Sequence, residues 1–286
     1  METLTQTMES KVNEILTTNG LDFTIEKQSL IGLDGRPTKY FGLFNSKTNE
    51  CVHTCKESYT ISQNKELVEM VLLGMSPFGN DLKVQKGGAL EGGRKVYLQL
   101  EISGHSMVGN DVIKKYITIL DSNDGSTSLS IGIGDLTMSC QNQFWKFYKR
   151  GQNKFKHNST IESKIKGIPN LIELALETSI RQIELYNKFV STPITRDLAN
   201  KFVTDLLGFD KITTRSMRIT DNVMSHMDKE LSGKGLNVWG LHSGITSYTT
   251  HAIGIRKTSN RIEGGIIGNG YKMNQKSLAF ATSLIG

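Results

Sequence analysis

Proline and cysteine are scarce: four prolines and three cysteines in 286 residues. A small, odd number of cysteines argues against a disulfide framework and fits a reducing cytosol. The expected location is therefore the cytoplasm, that of a bacterial host if the chain is phage-encoded. No apolar run approaches a membrane span, and residues 1–11 are polar with two acids, unlike a secretory leader. A membrane is not expected as a partner. Hydrophobic residues at 37% and charged residues at 22% exclude a disordered chain. Charge of one sign is also missing from most of the sequence. Outside residues 141–170 there are 27 bases (34 − 7) and 27 acids (28 − 1), so general basicity is excluded.

What remains is one basic stretch, Gln141-Asn142-Gln143-Phe144-Trp145-Lys146-Phe147-Tyr148-Lys149-Arg150-Gly151-Gln152-Asn153-Lys154-Phe155-Lys156-His157, continuing to residue 170. It holds Lys146, Lys149, Arg150, Lys154, Lys156, Lys164 and Lys166 against Glu162 alone, so seven minus one equals the +6 of the whole chain. Local charge marks a polyanion site more than diffuse charge does. Five of the 21 aromatics (11 + 2 + 8) also fall between Phe144 and Phe155. Bases neutralise phosphates and flat rings stack on nucleobases. The competing reading makes 141–150 a helix with Phe144, Phe147 and Tyr148 as a buried stripe, Gly151 as its stop and Trp145 as the exposed ring. A solvated basic face with no ligand is the third.

Patterning along the chain predicts an α+β fold: an antiparallel, hairpin-rich sheet packed on a long helix, with a helical C-terminal part. Three regions are expected: a short helix and strands over 1–58, a sheet-plus-helix core over 59–191, and a mainly helical part over 192–286. In the first, 9–17 reads as a helix and 21–31, 38–45 and 50–54 as strands around the Asp34-Gly35-Arg36-Pro37 turn. A helix over 62–74 is capped by Ser62, buries Leu67, Val68, Val71 and Leu72, and ends at Gly74. Strand 81–86 leads through a loop of Gly87-Gly88 and Gly92-Gly93, with Arg94 and Lys95 exposed, into strand 95–103. Strands 114–120 and 128–140 flank the Asp124-Gly125 turn, with Leu129, Ile131 and Ile133 inward. The sheet is expected to keep one wet face, carrying Lys95, Tyr97, Gln99 and Glu101. The long helix covers 159–191, with Ile161, Ile165, Ile168, Ile172, Leu176, Ile180, Ile183 and Tyr186 at helical spacing and Gly167 and Pro169 disturbing its start. Helices follow over 195–207 and 221–231. Residues 237–251 are ambiguous, because Thr and Ser weaken the helix signal. A Gly-rich loop and a last helix occupy 261–285.

Cys51, His53 and Cys55 alternate along a strand, but a structural zinc needs four ligands and no second pair exists. Neither glycine-rich segment, 87–95 nor 264–270, has phosphate-loop or dinucleotide spacing. Asp121, Asp124 and Asp135 belong to a turn-rich connector, where acids shape turns. No histidine among His53, His105, His157, His226, His242 and His251 sits in a recognisable nucleophile motif. His157, inside the basic run, can contact a phosphate or cap the following helix.

Certain words of this sequence carry a family likeness: Tyr59-Thr60-Ile61-Ser62-Gln63-Asn64, Gly87-Gly88, Gly93-Arg94-Lys95-Val96, Tyr116 through Ser126, Cys140-Gln141-Asn142 and Lys156-His157-Asn158. Trp239-Gly240, Thr246-Ser247-Tyr248, His251, Asn260-Arg261 and Gly268-Asn269-Gly270 continue it. From Tyr59 to the C-terminus the chain resembles the phage/plasmid-like family called domain of unknown function 932. The resemblance implies a phage or plasmid setting and DNA metabolism as its context, and it supplies no catalytic residues. The order of helix, hairpins and long helix is also similar to Rad52-like single-strand annealing proteins, which form rings or filaments with DNA in a basic groove.

The expected function is phage-type single-stranded DNA binding, with annealing in recombination and without nucleotide hydrolysis. Lysine and arginine suit it because they hold phosphate without reading sequence. Lys146, Lys149, Arg150, Lys154 and Lys156 lead the candidates, with Trp145 and His157 beside them. Arg94, Lys95, Lys114 and Lys115 at hairpin ends are second. Expected partners are single-stranded DNA, further copies of the chain in a ring or filament, and a phage exonuclease or single-strand-binding protein; no cofactor or metal is expected. One alternative is a metal-dependent nucleic-acid-modifying enzyme using Asp121, Asp124 and histidines. The other is a structural or regulatory phage protein that binds an acidic partner.

Overall fold

Turn residues and alternating apolar runs set the strands, and helical stripes set the rest. The structure, a computed structural model, describes residues 2–126, 129–137, 143–147, 154–155, 166–253 and 268–285, with backbone alone at 2–7, 80, 81, 136, 143–147 and 154–155. Helix α1 (Glu2–Thr18) precedes strands β1 (Ile25–Ile31), β2 (Pro37–Asn45) and β3 (Cys51–Lys56), which form a three-stranded antiparallel sheet. Next come α2 (Asn64–Met75), a 3-10 turn (Ser76–Asp81), β4 (Leu82–Leu90), β5 (Lys95–Val108), β6 (Asp111–Ser122), β7 (Leu129–Thr137), β8 (Gln143–Phe147) and β9 (Lys154–Phe155). Five of these strands run in the order β4-β5-β6-β7-β8, and β9 pairs with β7. The helices α3 (Ile168–Ser191), α4 (Arg196–Leu207), α5 (Thr214–Lys234), α6 (Val238–His251) and α7 (Asn269–Ser283) follow. The α+β class and the helical C-terminal part are as expected.

The chain divides into two units. One comprises Met1–Ser103, Tyr116–Ile133 and Phe147–Glu177; the other comprises Gly104–Lys115, Gly134–Lys146 and Thr178–Gly286. In the first unit, Val12 and Leu16 of α1, Leu67, Val68 and Val71 of α2, and Ile168 and Ile172 of α3 meet Leu98, Leu100, Ile117, Leu129, Ile131 and Ile133 from the larger sheet. In the second, Val108, Ile113, Tyr186, Phe189, Val238 and Trp239 form one cluster, and Phe202, Val203, Val223, Met227, Leu241 and Ile245 form another.

Several expectations change. The wet face of the larger sheet is absent along β5: Lys95, Tyr97, Gln99 and Glu101 are as buried as Val96, Leu98, Leu100 and Ile102. Alternation reports polarity, and here the polar groups satisfy one another, as in Gln99 Nε2 donating to Thr118 Oγ1 at 3.4 Å. Gly87 and Gly88 lie inside β4, not in a loop, because a Cβ on Gly87 would come within 2.7 Å of Leu98 Cδ2 and 2.9 Å of the Tyr97 carbonyl. The turn itself is Glu91-Gly92-Gly93-Arg94, with Glu91 at φ +50°. Gly74 does not stop α2, which runs on to Met75, and Gln63, not Ser62, is its N-cap. Residues 143–147 form a strand, so the helical stripe of Phe144 and Phe147 does not arise; Tyr148 lies outside the described residues.

The buried face of α3 is Ile168, Ile172, Ala175, Ser179, Gln182, Tyr186 and Phe189, a repeat of alternating fours and threes. Ile180, expected inside, is 57% exposed. The start expected at residue 159 and the isoleucines at 161 and 165 lie outside the described residues. The ambiguous segment 237–251 is a helix whose cap is Asn237, accepting from the Gly240 N–H at 2.8 Å. Its hydroxyls tolerate burial by bonding locally, as Thr246 Oγ1 does to the Ser243 carbonyl at 2.9 Å.

Candidate nucleic-acid interface

The basic stretch enters the sheet twice. Its residues 143–147 form β8 and its residues 154–155 form β9, and both pair with β7. Because β6 occupies one edge of β7, β8 and β9 add to the other. In the β7–β9 ladder Ser130 faces Lys154 and Leu129 faces Phe155. Trp145 and Lys146 thus belong to β8 and Lys154 to β9. Lys149, Arg150, Lys156 and His157 lie outside the described residues.

The second-rank bases separate by burial. Arg94 is exposed at the β4–β5 turn. Lys95 is 7% exposed, contrary to the expectation, and its Nζ meets Glu91 Oε2 at 3.2 Å. The left-handed Glu91 holds its carboxylate over the strand that carries Lys95, at a cost of about 1 kcal/mol for a side chain in that region. Lys114 and Lys115 are half-buried on β6. Glu50, Cys51, Val52, Glu91, Gly92 and Arg94 line a cleft of about 670 Å³ beside this turn.

Three of the words that carried the family likeness, at 59–64, 93–96 and 116–126, supply anchors within the first unit. Asn123 donates from Nδ2 to the Gly93 carbonyl at 2.9 Å, and its N–H reaches the Arg94 carbonyl at 2.7 Å. Tyr59 Oη donates to the Ser122 carbonyl at 3.4 Å. Burial, then the nearby Asp121, raises the Tyr59 phenol well above its ordinary range. Gln63 imitates a neighbouring strand: its Oε1 accepts from the Ile25 N–H at 3.1 Å and its Nε2 donates to the Ile25 carbonyl at 3.0 Å. Asn64 Nδ2 holds the carbonyls of Leu21 and Phe23 at 3.0 and 3.2 Å. Such side chains replace absent backbone partners, which buried chain segments require.

A family model described as Domain of unknown function (DUF932) matches residues 52–264. The chain belongs to this family. No curated protein and no solved structure matches it. In this DUF932 protein the family's words therefore have a structural reading, independent of any relative's activity. Asp124 behaves as a turn former, its Oδ1 accepting from the Ser126 N–H at 2.9 Å, while Asp121 is buried at the end of β6 with its Oδ1 accepting from the Ser122 N–H at 2.9 Å. Among the described residues no group of three or more His, Cys, Asp and Glu is placed to hold a metal ion. Cys51 is exposed and Cys55 buried, with burial raising the Cys55 thiol pKa. No described helix is long and apolar enough to cross a membrane.

Sequence reasoning missed one charged surface. Lys211, Arg215 and Arg218 are exposed around Phe209, Ile212 and Met217 at the start of α5. Their charge vanishes in a whole-chain sum, because acids elsewhere cancel it.

Proposed function

We propose that this protein binds single-stranded DNA without base preference and promotes pairing of complementary strands in phage-type recombination. It acts as a ring or filament of identical chains, in the host cytoplasm and without nucleotide hydrolysis. A phage exonuclease or single-strand-binding protein would supply or protect the strand. The observation that carries this reading is the +6 of residues 141–170 within a chain that is otherwise neutral. Support comes from β8 and β9, which mount parts of that stretch on the β7 edge of an antiparallel sheet. An annealing protein needs a track that grips backbones and leaves base edges free, and bases on a sheet edge meet that need.

Binding of a fluorescent oligonucleotide, titrated at several salt concentrations, tests it. If four to six phosphates are neutralised, log affinity falls with log salt at about −0.7 per phosphate. Affinity should rise with strand length across several subunits, since later sites bind at high effective concentration. Mixing complementary strands with protein should speed their pairing. Absence of binding at low salt, or binding indifferent to salt, overturns the reading.

A further inference from the structure

We propose that copies of this chain join head to tail, the 209–218 surface of one copy seating on the outward stripe of α3 in the next. This rests on the self-assembly named above and not on DNA binding.

The first surface joins the end of α4 to the start of α5. Ile212 is 86% exposed and Met217 56%, with Phe209 also exposed, an unusual density of bare apolar side chains in ten residues. Lys211, Arg215 and Arg218 surround them, and none takes part in a described ion pair. By contrast, Arg196 on the neighbouring helix is satisfied by Asp228 at 2.5 Å. Between 209 and 218 the only acid is Asp210, so three bases less one acid leave +2.

The second surface is the face of α3 opposite its buried repeat. Glu173, Glu177, Ile180 and Glu184 are spaced by four, three and four, which places them within one narrow stripe of the helix. All four are exposed, with Leu174 at the margin. Glu173 and Glu184, at its two ends, carry the charge of the stripe, −2 between them.

The two surfaces match in charge, and each carries exposed apolar side chains. Like surfaces repel, +2 against +2 or −2 against −2, so a two-fold contact of either with itself is disfavoured. Unlike surfaces attract, and a contact between different surfaces of identical chains generates a ring if the rotation closes and a filament if it does not.

Sedimentation velocity without DNA tests this. Variant A carries Arg215→Glu and Arg218→Glu, which turns its +2 surface into −2. Variant B carries Glu173→Lys and Glu184→Lys, which turns its −2 stripe into +2. Wild type should sediment as a multi-chain species, and A alone and B alone as monomers. An equimolar mixture of A and B should assemble again, because each copy then finds an opposite surface. Ile180→Arg, at an already exposed site, gives a second probe and should also sediment as a monomer. A thermal melt confirms that each variant is folded. The interface is overturned if wild type is a monomer, if A or B assembles like wild type, or if the mixture stays monomeric. If A assembles normally but loses affinity for single-stranded DNA, the 209–218 surface is a nucleic-acid contact instead. With no DNA present in the assembly measurement, failure here leaves the DNA-binding proposal standing.

Discussion

Trp239 donates its indole N–H to Asp111 Oδ2 at 2.7 Å, across 128 residues of sequence. The same oxygen receives the Lys234 ammonium, which also lies 3.6 Å from Glu230. Asp111 ties the tip of the β5–β6 hairpin to α5 and α6 within the second unit. Asp111→Ala strands a mostly buried lysine and a buried indole N–H. Removing one partner of such a pair costs about 3–5 kcal/mol. Asp111→Asn keeps an acceptor for the indole and should cost less. Urea denaturation of both variants gives the order, and equal losses would contradict the role assigned to Trp239.

Acid should weaken the second unit chiefly through one ring. His242 is fully enclosed, bonded through Nδ1 to Ser277 Oγ at 2.9 Å, and burial holds its pKa down at about 3 against an ordinary 6.5. The unfolded chain takes up a proton near 6.5 while the folded chain refuses it until about 3. Stability from this group is complete above 6.5 and is lost as pH falls, by up to about 1.4 kcal/mol per pH unit. His226 shifts in the same direction, chiefly by burial. Between pH 7 and pH 5 the wild type should lose about 2 kcal/mol more than His242→Gln does. Paired urea titrations at the two pH values measure that difference, and none would mean the ring is not buried neutral.

Local signals were legible, and distant ones were not. Thr195 caps α4 by accepting from the Leu198 N–H at 3.2 Å, and Gly208 ends that helix in the left-handed region, both readable from neighbouring residues. Leu129, Ile131 and Ile133 alternate into the core as their spacing predicts. Gly87 misled because its reason lies across the sheet, in Leu98, and Lys95 because Glu91, four residues back in the same turn, pairs with it and lets it be buried. Aromatics at 144, 147 and 148 fit a helix stripe as well as a strand, and pairing with β7 decided the matter for 143–147. The basic stretch stood out only because nothing nearby cancels it. The 209–218 surface and the acidic stripe of α3 hid each other in the sum.

Gly74 gives a test of close packing in the first unit. A Cβ there would sit 2.6 Å from Ile172 Cδ1 and 2.9 Å from Pro169 Cα. Helix propensity alone favours Gly74→Ala by about 1 kcal/mol. The Pro169 backbone cannot step aside as a side chain can, so overpacking should win, with a net loss of about 1–3 kcal/mol. A thermal melt reads the sign. A raised melting temperature would mean that α2 and α3 do not approach so closely at this point.

Arg94 and Lys95 are adjacent in sequence and should differ in effect. Arg94 is exposed, so Arg94→Ala should leave stability within about 0.5 kcal/mol. If the track reaches the β4–β5 turn, it should also weaken DNA binding and lower the salt slope by about 0.7. Lys95→Ala should do the reverse, because it leaves Glu91 strained in its left-handed conformation and without the 3.2 Å partner that its carboxylate covers. Lys146→Ala with Lys149→Ala and Arg150→Ala sets the scale, since three lost phosphate contacts should reduce the slope by about 2 with little change in the melt. The slope distinguishes contact from collateral damage: a misfolded protein loses active fraction at every salt, while a missing phosphate contact changes the salt dependence itself. A triple variant with the wild-type slope would remove residues 146–150 from the track, and a Lys95→Ala variant that melts normally but binds DNA poorly would return Lys95 to it.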